Sequence, residues 1–174
     1  MSLGQILNNI REIRKAAKYR AMGANKLLQL EDEDFYDAID CLIIDAVEYD
    51  INNPQINPEQ RWVYSLISFE REVSNGGLCQ FFVNSSSMCA PFISESLSQI
   101  GAINVKEAYD SFLAENNIDV NDLTFFTLDT IEEYESKENA FDFDTFDDQF
   151  YRIDDFHDRL ISYARANIDA LLQE

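Results

Sequence analysis

The sequence predicts an all-α protein: a single compact multi-helix domain over residues 1–174 that ends in a long C-terminal helix. Apolar residues recur at i, i+3, i+4 spacing in almost every periodic segment, and proline, asparagine and aspartate stand where helix starts need them. Alternating strand patterns are scarce. Only FDF at 141–143 and VNDLTFFTL at 120–128 hint at extended backbone, and both are short or ambiguous.

Leu3, Ile6, Leu7, Ile10 and Ile13 form an apolar stripe after a Ser2 cap, predicting a helix over about 3–21 whose other faces are basic. A second stripe, Phe35, Ile39, Leu42, Ile43 and Ala46, follows Glu31-Asp32-Glu33-Asp34. Asn57 caps a third helix with Pro58 at its first position; it runs through Trp62, Leu66, Phe69 and Val73 and is predicted to stop at Asn75-Gly76-Gly77, where left-handed backbone is cheap. Further starts are predicted at Pro91, at Asn104 with Glu107 as a capping box, and at Asp144 before Thr145. In the last helix Phe146, Phe150, Ile153, His157, Leu160 and Ala164 share one face, continuing to Ile168 and Leu171, which suits a core or a dimer seam.

Composition excludes several classes. With 46% apolar and 13% aromatic residues the chain is far from a disordered composition and can bury roughly two-thirds of its unfolded surface. It has no run of about 18 apolar residues and no signal-peptide pattern, so a cytoplasmic location without membrane contact is expected. Cys41, Cys79 and Cys89 lack metal-ligand spacing and read as reduced, buried thiols. With one histidine and no GxSxG, phosphate loop or dinucleotide glycine pattern, no catalytic triad can be drawn; neither enzymatic activity nor a cofactor is expected.

Charge is the strongest single signal. The net is −20, beyond the magnitude of about 2 to 8 that solubility asks of a small domain. It is also uneven: residues 1–30 hold six bases and one acid, and the remaining 144 hold seven bases and 32 acids. A compact chain of this length spans on the order of 40 Å, and duplex DNA places about twenty charges along roughly 34 Å of axis. The two charge densities are similar. Direct binding to nucleic acid is therefore disfavoured, whereas a basic groove that normally meets phosphate would be attracted.

Residues 141–158, FDFDTFDDQFYRIDDFHD, concentrate this property with seven aspartates and six aromatics. Asp148 with Arg152, and Asp155 with Arg159, are spaced as i, i+4 pairs, each contributing a few tenths of a kcal/mol. Asp147, Asp154 and Asp158, with Asp142 and Asp144, lack such partners and are predicted to face outward toward a basic partner. A calcium loop is excluded because position 6 is not glycine and position 12 is not glutamate. His157 beside Asp154 and Asp158 reads as a satisfied core residue, and no metal is expected.

One motif rises above composition: Glu72, Asn75, Gly76, Gly77, Gln80, Phe81, Phe82 and Asn84, spaced ExxNGGxxQFFxN. It reads as a helix end, a glycine turn and a second helix, with Phe81 and Phe82 in the core and Glu72, Gln80 and Asn84 tying the turn. The string resembles the signature of a small bacterial family of acidic DNA-mimic proteins, largely catalogued as a domain of unknown function, and the resemblance covers the chain from about residue 30 onward. It implies an all-helical homodimer whose carboxylates imitate duplex phosphates and block a DNA-binding protein, for instance a transcription regulator. The motif contains one acid, so mimicry falls to Glu31, Asp32, Glu33, Asp34, Asp37 and Asp40, to Glu132, Glu133 and Glu135, and to Asp142, Asp144, Asp147, Asp154 and Asp158. The basic N-terminal helix does not map onto the family's pattern. The alternative is an immunity-type inhibitor in which a compact acidic knob plugs a basic nuclease or toxin.

Overall fold

The structure, a computed structural model, describes residues 14–47, 50–130 and 132–173. All regular elements among them are helical: α1 at 14–22, α2 (Ala24–Leu27), α3 (Asp32–Val47), α4 (Pro58–Val83), α5 (Ala90–Gln99), α6 (Ile103–Asn116), α7 (Glu133–Glu138), α8 (Phe143–Phe150), α9 (Phe156–Ala166) and α10 (Ile168–Leu171). The all-α class predicted from periodicity is the one observed. The hinted extension within 120–128 is a 3-10 turn at Thr124–Phe126, and that at 141–143 runs into α8. The predicted stripe from Leu3 to Ile13, with its Ser2 cap, lies outside the described residues. Contacts group the chain into two compact units, Met1–Tyr64 with Ile161–Glu174, and Ser65–Leu160.

In the first unit α4 begins with a reciprocal capping box. Asn57 Oδ1 accepts from the Gln60 N–H at 2.9 Å, and Gln60 Oε1 accepts from the Asn57 N–H at 3.0 Å. Pro58 sits at the first helical position, where a missing N–H is of no consequence. The same two side chains reach α10 and the residues just after it, Asn57 Nδ2 donating to the Ala170 carbonyl and Gln60 Nε2 to that of Gln173, both at 2.8 Å. Helix α3 buries Phe35, Ala38, Ile39, Leu42 and Ile43. The Arg165 guanidinium lies 4.1 Å from the Phe35 ring centroid and donates to the Leu30 carbonyl and to Asp32.

The second unit is built on an aromatic cluster. Phe69 sits edge-on to Phe81, Tyr109, Phe146, Phe150 and Phe156 at centroid distances of 5.2 to 6.5 Å. Phe82 stacks on Phe126 at 4.9 Å and neighbours Phe112 and Phe143. Such pairs contribute about 0.5 to 1.5 kcal/mol each beyond their burial. Of the aromatics of 141–158, Phe143, Phe146, Phe150 and Phe156 thus fill a core, while Phe141 is half-buried and Tyr151 exposed.

Three expected boundaries move. The single C-terminal helix is three helices, interrupted at 151–155 and at Asn167. The first interruption lets Phe156, which lies off the predicted stripe, reach Phe150 at 5.5 Å, and it turns His157 away from the core to meet Glu70 at 2.8 Å. No capping box forms at Asn104: α6 starts two residues earlier behind Ala102, whose N–H is taken by the Leu97 carbonyl after a left-handed Gly101 (φ 74). The cap of α8 is Asp142, not Asp144, because the Asp142 carboxylate reaches both the N–H and the hydroxyl of Thr145, at 3.3 and 2.7 Å.

Candidate functional site

Helix α4 is interrupted at Gly76 (φ −161, ψ 28) and Gly77 (φ 76, ψ 179), and the motif side chains are hydrogen-bonded across the interruption. Glu72 Oε2 accepts from Gln80 Nε2 and from Asn84 Nδ2, both at 2.7 Å, and Gln80 Oε1 accepts from Asn75 Nδ2 at 3.1 Å. One carboxylate thereby joins the helix before the break to the helix after it. The glycines act for different reasons. Gly77 has a backbone conformation that is essentially glycine-only. Gly76 is extended, which any residue tolerates, but a Cβ there would stand 2.1 Å from Gln80 Oε1. Left-handed backbone, expected from the sequence at both glycines, is found at Gly77 and not at Gly76.

The break is also fastened from α7 and α8. Asp147 Oδ1 accepts from the Leu78 N–H at 2.9 Å, capping the resumed helix, and Oδ2 occupies the space a Cβ on Gly77 would fill. Tyr151 Oη donates to the Val73 carbonyl at 2.7 Å and Tyr134 Oη to the Gly76 carbonyl at 3.4 Å, serving carbonyls at the break. Asp147, predicted to face outward without a partner, is instead half-buried: a carboxylate at a helix N-terminus is stabilised by free N–H groups. Burial pushes its carboxyl above the usual aspartate range; the Leu78 bond opposes this, and the charges of Asp144, Glu138 and Asp148 add to it. Beneath lies Cys79, whose thiol burial and the Glu138 charge push up to about 11, so it stays protonated and unreactive.

The remaining predicted acids fall into separate groups. In the first unit Glu31, Asp32, Glu33, Asp34 and Asp37 are exposed at the start of α3, with Asp40 half-buried and Asp32 engaged by Arg165. In the second, Glu132, Glu135, Asp142, Asp144, Asp154 and Asp158 are exposed, whereas Glu133 turns back to accept from the Asp129 N–H at 3.0 Å. Sequence reasoning missed Glu138 and Asp148, both exposed. Together with Asp144 and Asp147 they line an open pocket whose other walls are Gly76, Gly77, Thr145 and Tyr151. Glu138 is the next residue at i+3 spacing from Glu135, and Asp148 is the expected i, i+4 partner of Arg152, at 3.1 Å. From 129 to 148 the chain holds nine acids and one base. That base, Lys137, is drawn aside, its ammonium 4.4 Å from the Phe125 ring centroid.

A family model described as DMP19-like protein matches residues 54–167, about two-thirds of the chain. The chain belongs to the DMP19-like protein family. This is a DNA-mimic family. No curated protein and no solved structure matches the chain. The span that defines it as DMP19-like contains the glycine break and the acids of α7 and α8, but neither α1 nor the Glu31–Asp40 acids. Among the described residues of this DMP19-like chain no group of three or more His, Cys, Asp or Glu is arranged to hold a metal ion, and no helix is long and apolar enough to cross a membrane. The surface around α7 and α8 carries dense negative charge on a scaffold fastened at the break.

Proposed function

We propose that the protein is a DNA mimic that sequesters a basic DNA-binding protein, such as a transcription regulator, by presenting carboxylates in place of duplex phosphates. The observation that carries this reading is the density of exposed, unneutralised acid on α7 and α8. Glu132, Glu135, Glu138, Asp142 and Asp144 are exposed, the base within the segment is turned to an aromatic ring, and the exposed Asp148 is paired with Arg152. Carboxylates one helical turn apart are about 5 to 6 Å from each other, sparser than the charge every 3.4 Å along one DNA strand. A single row is therefore too dilute. Two rows meet where Glu138 of α7 and Asp144 of α8 bear on the same carboxylate, Asp147. Asp154 and Asp158 extend the charge, the Glu31–Asp40 acids add a further group, and we assign the remaining rows to a second copy in a homodimer. Asp147 and Glu72 serve the scaffold.

The protein itself repels duplex DNA and competes with it. The test is capture from native cytoplasm on immobilised protein, at low and high salt, with elution by duplex DNA and identification of what elutes. A DNA-binding regulator retained at low salt and released by duplex supports mimicry. A nuclease held through its active site points to the inhibitor reading, and a gel shift in which the protein alone retains duplex contradicts both.

A further inference from the structure

We propose that Asp147 is a pH-operated latch: its carboxylate fastens α8 to the Gly76–Gly77 break, and its ionisation state sets how often that fastening opens. The latch goes beyond the partner-binding reading and does not depend on it. Its geometry is that of a hinge with one ionisable fastener. The break has the glycine-only backbone of Gly77, and the resumed helix presents its Leu78 N–H to Asp147 Oδ1 at 2.9 Å while Oδ2 packs against the Gly77 Cα. Two neutral fasteners flank it, Tyr151 Oη on the Val73 carbonyl and Tyr134 Oη on the Gly76 carbonyl.

Among the described residues, the titratable groups facing this carboxylate are neutral when protonated and negative when ionised. Cys79 faces it from α4, Tyr134 and Glu138 from α7, Asp144 and Asp148 from α8, and Tyr151 from the turn that follows. The nearby bases are engaged elsewhere, Arg152 with Asp148 and Lys137 over Phe125. An ionised Asp147 thus keeps one N–H donor, loses part of its water and stands among like charges. Opening the latch returns the carboxylate to water and relieves both burdens, so ionisation favours opening; protonation removes the motive to open. The direction of the Asp147 shift, upward with burial as its first cause, agrees with this. One consequence does rest on the mimic reading: a cationic surface set against α7 and α8 offsets the repulsion and closes the latch.

The experiment is an amide NMR titration of the full chain, following the Leu78 resonance and its hydrogen-exchange protection, the latter corrected for the intrinsic effect of pH. The Leu78 shift is expected to titrate with a midpoint above 3.8, the ordinary aspartate value, and its protection to fall as pH rises through that midpoint. Asp147→Asn, which keeps an acceptor for Leu78, is expected to abolish both responses. Asp144→Asn with Asp148→Asn, two exposed positions, lowers the midpoint by removing like charge and reports even if the Asp147 variant fails to fold. A midpoint at or below 3.8, protection independent of pH, a titration that persists in Asp147→Asn, or an unchanged midpoint in the double variant overturns the latch.

Discussion

Replacing Gly77 by alanine strikes the break at its most constrained atom. The backbone there, φ 76 and ψ 179, lies in a region that costs a residue with a side chain about 1 to 3 kcal/mol. The new methyl would also stand 2.1 Å from Asp147 Oδ2, so the carboxylate must leave and its bond to the Leu78 N–H is lost. A hydrogen bond to a charged group contributes about 1.5 to 3 kcal/mol, toward the lower end here because water reaches a half-buried carboxylate. The sum is about 2.5 to 5 kcal/mol, or about 5 to 20 °C in melting temperature for a chain of this size. Gly76→Ala is the control. Its backbone accepts any residue, and the obstructing atom is the flexible tip of Gln80, whose displacement costs its bonds to Asn75 and Glu72, about 1 to 2 kcal/mol together. Urea and thermal unfolding followed by circular dichroism measure both variants. In an Asp147→Ala background only the backbone part remains, so the loss for Gly77→Ala falls to about 1 to 3 kcal/mol and the cycle reports coupling. Gly77→Ala no more destabilising than Gly76→Ala, or additive losses in the cycle, would refute this account of the break.

Glu72→Ala leaves Gln80 Nε2 and Asn84 Nδ2 without their shared acceptor and is expected to lower stability by about 1 to 2 kcal/mol, read from the urea midpoint. Asp142→Ala removes the α8 cap at an expected cost of about 1 kcal/mol in the same assay. A raised folded-state Asp147 contributes stability that is complete below the ordinary aspartate range and lost as pH rises through the raised value. Asp147→Asn is therefore expected to exceed wild-type stability at neutral pH, with the gap closing in acid; a gap that widens in acid reverses the sign. Asp154→Asn with Asp158→Asn, at exposed positions, should stay within about 0.5 kcal/mol of wild type.

Helicity was legible because its signals are local. Asn57, Pro58 and Gln60 act over four residues, and the Phe35 to Ile43 stripe over one helix. The interruption between Phe150 and Phe156 was not, since its cause is a ring packed around Phe69, far away in the sequence. Asp147 illustrates the same limit at the site. Spacing showed that no base stood one turn away, but its partner is a backbone N–H 69 residues earlier, and backbone donors are invisible to side-chain patterns. Glu72, Gln80 and Asn84 were readable as a unit because their residue types at those intervals suit hydrogen bonding across a turn, even though the turn is a kink inside one helix.

A DNA mimic competes with duplex for a DNA-binding surface. The measurement that tests it most directly is displacement of a labelled duplex from the captured DNA-binding protein, followed by fluorescence anisotropy across a salt series. Wild-type protein is expected to release the duplex, with an apparent affinity that weakens steeply as salt rises. Converting Glu132, Glu135, Glu138, Asp144 and Asp148 to their amides should weaken displacement and flatten the salt slope while helicity is retained. Duplex that stays bound at saturating protein, or an amide variant that displaces it with unchanged affinity and slope, contradicts the mimic.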